Sequence, residues 1–345
     1  MILVDATYIN SSGSKYLLEY FIESLCQNDK IENYIFLFDK RFNSDRIKSI
    51  LDKNIYFTDP SEFSRYFKFK KIFSTYSIES IFCFANVPPP FNFVSSCPVY
   101  IYFHNVLLIE PWSNNHTILN RLFLYLKSFY IKINLNKNLT WIVQSNVVKA
   151  KLHSYFEISI ANILVLPFFD PTSLYFIEGV KRHQYFYPAE GVAQKNHNLL
   201  LKVWEELSKF NIRPKLILTI DKLKYPKLCS KITRLNLVNI DIENVGFLSK
   251  NDVIEHYNRS KFLIFPSLNE SFGLPLVEAA DLGCHIITPD LDYVDNIIET
   301  NLKFDIKKNN LFELIYDIET NKLTTFPPII KIENKVISLI KLLNN

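Results

Sequence analysis

Glycine is scarce in this chain, with only six among 345 residues, and no three of them stand at Gly-x-Gly-x-x-Gly spacing, which excludes a dinucleotide fingerprint. Cysteine is equally uninformative as a scaffold. Cys26, Cys83, Cys97, Cys229 and Cys284 are odd in number and form no Cys-x-x-Cys pair, so neither a disulfide framework nor a zinc knuckle is indicated. A reducing, cytoplasmic compartment is the expectation. The opening Met1-Ile-Leu-Val-Asp5 enters a strand pattern directly, without the basic region, apolar core and cleavage site of an export signal, so export is not expected.

Charge is missing over long stretches. Ser80 to Ile109 holds no Asp, Glu, Lys or Arg, yet Pro88-Pro89-Pro90 and Pro98 cut it into strand-sized pieces, Ile81–Phe84 and Val99–Phe103. These fall well short of the about 20 residues a membrane-crossing helix needs, and two buried parallel strands account for them. Acid alone is missing between Glu110 and Glu157, where Arg121, Lys127, Lys132, Lys137, Lys149 and Lys151 lie. It is missing again between Glu62 and Glu79, where Arg65, Lys68, Lys70 and Lys71 alternate with Tyr66, Phe67, Phe69 and Phe73. Within the first block, Ile118 to Leu135 carries polar residues at Asn120/Arg121, Lys127/Ser128 and Asn134, a repeat near seven that leaves a wide apolar face with basic edges. Such a helix suits an anionic membrane surface; a core helix whose lysines reach outward is the other reading. No nucleic-acid motif accompanies these charges.

What is present is a chain with 48% hydrophobic residues and a net charge of +4, long enough for two cores. Short apolar runs alternate with helical patterns, which predicts parallel α/β folding. The first half offers strands at Ile2–Val4, Tyr34–Phe38, Ile55–Phe57, Ile81–Phe84, Val99–Phe103, Leu139–Val143 and Ile163–Leu166. The second half offers Tyr185–Tyr187, Lys215–Thr219, Asn239–Ile242, Phe262–Phe265 and His285–Thr288. Two such sets imply two doubly wound domains, with Pro167 to Arg182, which has neither periodicity, as the linker. Ile329 to Leu343 shows a helical apolar stripe at Ile329, Ile332, Val336, Ile337, Ile340 and Leu343.

The most specific stretch is Asn269 to Glu278, where two carboxylates seven residues apart bracket a glycine turn and a helix start. Lys261 to Pro266 reads as a buried strand, Pro275 suits the first turn of a helix, and Gly283 suits its C-terminal cap. Glu270 then falls in the strand-to-helix loop. Glu278 falls in the early helix, leaning back toward the loop, while the backbone amides of Phe272, Gly273 and Leu274 make an anion cradle.

Ser267, Glu270, Phe272, Gly273 and Glu278 form a Ser-x-x-Glu-x-Phe-Gly-x-x-x-x-Glu setting, and Phe262 to Asn296 resembles the donor-binding motif of the retaining GT-B glycosyltransferases of family 4. The resemblance implies an α/β GT-B fold of two Rossmann-like doubly wound domains facing a central cleft. Residues 1–168 would bind the acceptor, residues 183–325 the nucleotide-sugar, and residues 326–345 would form a helix packing back on the first domain. By the same resemblance Glu270 meets the transferred sugar and Glu278 the ribose hydroxyls. Ser271, Phe272, Gly273 and Leu274, with Lys195 in Gln194-Lys-Asn-His197, meet the diphosphate. Gly246 and Phe247 belong to a loop near the base, Gly13 to an acceptor-side loop, and His104 to the surroundings of the reacting sugar. Many members carry Arg five residues before that lysine, where this chain has Glu190. Lys195 then works mainly with the loop amides, or another cation such as Arg182 substitutes.

Asp290-Leu291-Asp292 could be read as the Asp-x-Asp of metal-dependent enzymes of the other main glycosyltransferase fold. Its place after the strand that follows the motif helix favours a helix start with Asp292 as N-cap. No metal or cofactor is expected beyond the nucleotide-sugar substrate. The implied activity is retaining transfer of a hexose to a hydroxyl of a growing, lipid-pyrophosphate-linked glycan. Bacterial O-antigen, capsule or lipopolysaccharide synthesis, at the inner face of the cytoplasmic membrane, is the implied setting. The alternatives are a nucleotide-sugar epimerase on the same fold and a non-catalytic bilobal sugar-binding protein.

Overall fold

The computed structural model describes residues 1–10, 12–51, 53–90, 93, 97–109 and 118–344, without the side chains of Ser12 and Asn120. Glu110, residues 91, 92 and 94–96 of the uncharged stretch, and the Asn120 side chain therefore lie outside the described residues. The chain divides into two units, Met1–Asp170 with Glu333–Asn345, and Pro171–Ile332.

The first unit is built on β1 (Ile2–Ala6), β2 (Tyr34–Asp39), β3 (Ile55–Thr58), β4 (Ser80–Cys83), β5 (Val99–Tyr102), β6 (Leu139–Val143) and β7 (Ile163–Val165). These pair in the order β3-β2-β1-β4-β5-β6-β7, all parallel. The second contains β8 (Arg182–Tyr187), β9 (Lys215–Leu218), β10 (Ile242–Asn244), β11 (Ser260–Ile264), β12 (His285–Pro289), β13 (Ile298–Glu299), β14 (Lys303–Phe304) and β15 (Ile329–Ile330). Six of these form a parallel sheet in the order β10-β9-β8-β11-β12-β14, while β13 and β15 pair antiparallel. Both sheets are doubly wound. Each unit's first strand lies inside its sheet, the next two build to one side, and the fourth opens the other side. That creates a switch point between β1 and β4 and another between β8 and β11, where loops leave in opposite directions and open a crevice at the carboxyl ends. The strands are runs of Ile, Val, Leu, Phe and Tyr because helices cover both faces, and most of their residues are buried.

Three expectations need correction. Ile329 to Leu343 is not one helix: Ile329 and Ile330 ladder with Glu299 and Ile298, and the helix spans Val336–Leu343. Asn334 sets that start. Its side chain accepts from Val336 N at 3.2 Å and donates to the Tyr20 hydroxyl at 2.9 Å, fastening the helix within the first unit. The strand expected at Asn239–Ile242 begins instead at Ile242, because Asn239 takes a left-handed φ of 63° as the preceding helix ends. Asp292 is the first residue of the short helix Asp292–Asp295, whose N-cap is Leu291 with no side-chain cap bond. The segment read as a linker divides after Asp170. Thr172 is held to the helix Leu274–Asp281 by hydrogen bonds to the Asp281 carboxylate and the Glu278 carbonyl, and Lys181 Nζ donates to the Tyr257 carbonyl at 2.6 Å.

Beneath the carboxyl end of β1 lies a closed ionic network. Arg65, 1% exposed, donates through Nε to the equally buried Asp5 at 2.7 Å and through Nη1 to Glu62 at 3.1 Å. Glu62 also accepts from the hydroxyls of Tyr8 and Tyr130. Removing one member of a buried pair strands the other, at a cost of about 3–5 kcal/mol. In a denaturant titration, Arg65→Met is therefore expected to lower the unfolding free energy of the first unit by that amount, whereas Lys40→Met, at the exposed pair with Asp59, should leave it within about 1 kcal/mol.

Candidate functional site

At the second switch point the loops after β8 and β11 leave side by side, and the motif residues sit on them. The loop from β8 reaches Lys195 in a short 3-10 turn, then Asn196 takes a left-handed φ of 55° and the helix His197–Lys209 begins. The loop from β11 carries Ser267 to Gly273 into the helix Leu274–Asp281. The two are stitched together, since Leu268 N donates to the Gln194 carbonyl at 2.9 Å and the Tyr293 hydroxyl donates to the Ser267 carbonyl at 2.7 Å. The Tyr187 hydroxyl donates to the Lys195 carbonyl at 2.9 Å.

This stitching brings Lys195 Nζ onto the Glu270 carboxylate as a half-buried ion pair, with the ammonium 5.5 Å from the Phe265 ring centre. The Glu270 charge adds to burial in holding the Tyr187 and Tyr293 phenols well above their usual range, so both stay protonated donors. Gly273 is the N-cap at φ 83°, a conformation that strains any residue with a Cβ. Leu276 N returns to its carbonyl at 2.9 Å. The first-turn amides of this helix, like those of any helix, lack partners one turn back and favour an anion. Gly283 closes the same helix at φ 71°, with Cys284 N on the Ala279 carbonyl at 2.8 Å.

Glu278 is the fifth residue of that helix, one turn in, and its carboxylate is paired with Lys250. Lys250 was absent from the sequence reading. It opens the helix Lys250–Arg259, which a capping box between Ser249 and Asp252 starts just after the Gly246 loop. Only that position, first in a helix following a glycine turn, could have marked it. Gly246 has φ 76° with open space where a Cβ would be, and Phe247 is exposed beside it. The Phe272 ring is buried in the core, which leaves its backbone in the turn. Ser271 is half-buried in the turn.

Arg182 cannot stand in for the missing arginine. It begins β8 at the amino end, and Lys195 follows the carboxyl end, so the strand alone separates them by about 16 Å. Glu190 is exposed near Tyr225. Asp290 and Asp295 both pair with Lys303, away from the Glu270 loop along the sheet. Among the described residues no group of three or more His, Cys, Asp or Glu is placed to hold a metal ion.

The remaining two candidates belong to the first unit. Gly13 lies in the first turn of the helix Ser12–Gln27 that follows β1. His104 follows β5, with its backbone N–H on the Asn86 side-chain oxygen at 2.7 Å and its Nε2 3.3 Å from Asn86 Nδ2. Asn86 Nδ2 can only donate, so the neutral ring accepts at Nε2 and carries its proton on Nδ1, a buried atom. Burial lowers the His104 pKa to about 4.

Burial, helped by the Lys195 charge, likewise lowers His197 to about 4. Its Nε2 faces the Ala189 carbonyl at 3.3 Å and its ring meets Tyr187 edge-on at 4.9 Å. Both histidines bind a proton more readily unfolded, near pH 6.5, than folded. Their contribution to stability is therefore complete above about pH 6.5 and is lost as pH falls toward 4. In an imidazole NMR titration, the ring signals of His104 and His197 should stay at their neutral positions down to about pH 5, where an ordinary histidine has already titrated.

Residues 176–319 match the family described as Glycosyl transferases group 1. The chain therefore carries a domain of that kind within its second unit. Two solved structures share the whole architecture: Anabaena Alr3699/HepE in complex with UDP and glucose, and WaaG, a glycosyltransferase involved in lipopolysaccharide biosynthesis. Each has a TM-score of 0.66 at 14% identity, covering 93% of this chain and 90% of its own. The fold is thus the GT-B arrangement of two parallel-sheet α/β domains. Among curated proteins, the serotype-specific mannosyltransferase WbdA of Escherichia coli is 40% identical over 53 residues. That match spans 15% of this chain and 6% of the relative's length.

Proposed function

We propose that this chain is a retaining hexosyltransferase that moves a sugar from a nucleotide-diphosphate donor to a hydroxyl of a growing, lipid-linked bacterial glycan. The observation that carries the reading is the Lys195–Glu270 pair beside the first turn of Leu274–Asp281. Cation, carboxylate and helix amides converge at a switch point, the set needed to hold a pyrophosphate while turning a carboxylate toward its sugar. The group 1 domain, the HepE structure with UDP and glucose, and the lipopolysaccharide role printed for WaaG support this choice.

In this mechanism the donor pyrophosphate competes with Glu270 for Lys195. The anomeric C–O bond to phosphate breaks as negative charge grows on the leaving oxygen, and Lys195 with the amides of Gly273 and Leu274 stabilises it. The acceptor oxygen forms its bond on the same face, and its proton passes to the departing phosphate. The freed Glu270 accepts hydrogen bonds from the sugar, and Glu278 exchanges Lys250 for the ribose diol. In the first unit, His104 serves the reacting sugar and Gly13 the acceptor. No metal takes part.

Thermal shift against UDP-, GDP-, TDP- and CMP-sugars tests the donor, since a ligand at 100 times its dissociation constant adds about 2.7 kcal/mol. Glu278→Ala should weaken the stabilising nucleotide roughly 10–100-fold. Lys195→Ala should lower kcat by about 100-fold or more, and EDTA should change neither. No stabilisation by any of the four would overturn the reading. With donor alone, free epimerised sugar would instead identify the epimerase, while binding without turnover on any acceptor would favour the sugar-binding protein.

A further inference from the structure

The helix Ile118–Ile133 is apolar on both sides, and among the described residues one side stands open to solvent. At 100° per residue, Leu124, Ser128 and Ile131 fall on the face toward the sheet, where Ile131 joins the core and Ser128 is 1% exposed. The opposite face carries Leu119, Leu122, Leu126, Phe129 and Ile133, with Phe123 beside them. Leu119 is 78% exposed and Phe123 59%, and the others are also open to solvent. Leu119 to Ile133 makes a stripe about 21 Å long. A helix apolar all round is normally enclosed.

The same face extends onto a second helix. Tyr130 donates to Glu62 at 2.9 Å, holding the start of the helix Glu62–Thr75 against the last turn of Ile118–Ile133. Phe63, 75% exposed, and Phe67 follow Glu62 on that helix, stacked edge-to-face at 4.7 Å. Cations border the stripe on both sides. The half-buried Lys127 lies on one flank, against the Tyr8 and Phe123 rings, while the exposed Lys132 and the half-buried Arg121, whose Nε is enclosed, lie on the other. Lys70 and Lys71 are exposed further along the second helix. No acidic residue occurs in Ile118–Ile133, and Glu62 is committed to Arg65, Tyr8 and Tyr130.

We propose that this face docks the chain on an anionic lipid bilayer, with the helix Ile118–Ile133 lying in the plane of the headgroups. The observations choose this occupant over a second protein copy through charge: an apolar stripe with cations on both flanks and no acid complements an anionic sheet, and would repel its own image. A spanning role is out of reach, because among the described residues no helix is long and apolar enough to cross a membrane. The inference is independent of the nucleotide site.

Co-sedimentation of the full chain with phosphatidylglycerol–phosphatidylcholine vesicles tests it, with pure phosphatidylcholine vesicles as reference. Binding is expected on the anionic vesicles, weakened at 0.5 M salt. The triple variant Leu122→Ser/Leu126→Ser/Phe129→Ser should bind at least roughly tenfold more weakly with an unchanged unfolding midpoint. A second variant, Arg121→Glu/Lys132→Glu, should lose the preference for anionic vesicles while keeping the apolar stripe. Equal sedimentation with both vesicle types, unaltered binding by both variants, or a dimer that the serine triple converts to monomer without any vesicle binding would each overturn the proposal.

Discussion

Strand polarity is the constraint on which the second unit depends. Because β8 and β11 run parallel and adjacent, the loops that leave their carboxyl ends must emerge together, whatever their sequences, and 75 residues of chain separation collapse into one ion pair. Half-buried, Lys195 and Glu270 interact more strongly than they would in water, and each satisfies a charge the other would leave exposed to a low-dielectric wall. In the proposed reaction, a pyrophosphate meets there a cation already in position and a carboxylate it displaces. The Lys250–Glu278 pair repeats the arrangement one turn further along the motif helix.

Much of the scaffold was legible because its physics is local. Buried parallel strands need unbroken β-branched and aromatic runs, and Tyr34 to Phe38, Leu139 to Val143 and His285 to Thr288 are such runs, so they stand out without any knowledge of their neighbours. The turn at Gly273 and the stop at Gly283 are equally local, each needing positive φ. What failed was settled by elements outside the run itself. Ile329 and Ile332 fit a helical stripe, but β13 captures Ile329 and Ile330, pairing them with Glu299 and Ile298 far back in the chain. Asn239 looks like the head of a strand until the helix before it claims the residue for its end.

The site was legible to the same degree. Glu270, Glu278 and Lys195 are marked by what surrounds them in sequence. Lys250 is not, since an ordinary lysine after a serine cap becomes notable only when folding sets it on Glu278. Arg182 shows the converse error: near Lys195 in sequence, it lies at the wrong end of a strand. In the first unit, periodicity revealed that Ile118 to Leu135 is apolar and edged with cations, but not which side faces the sheet. That side is fixed by Ile131 and Ser128, whose burial leaves the larger side chains outside.

Residues 333–345 return to the unit that residues 1–170 began. On a ribosome, the second unit has therefore emerged complete before the helix that finishes the first. Until Val336–Leu343 arrives, the hydrophobic face it covers stands open beside a chain already folding downstream. Loss of Val336–Leu343 would thus injure the half of the molecule made earliest.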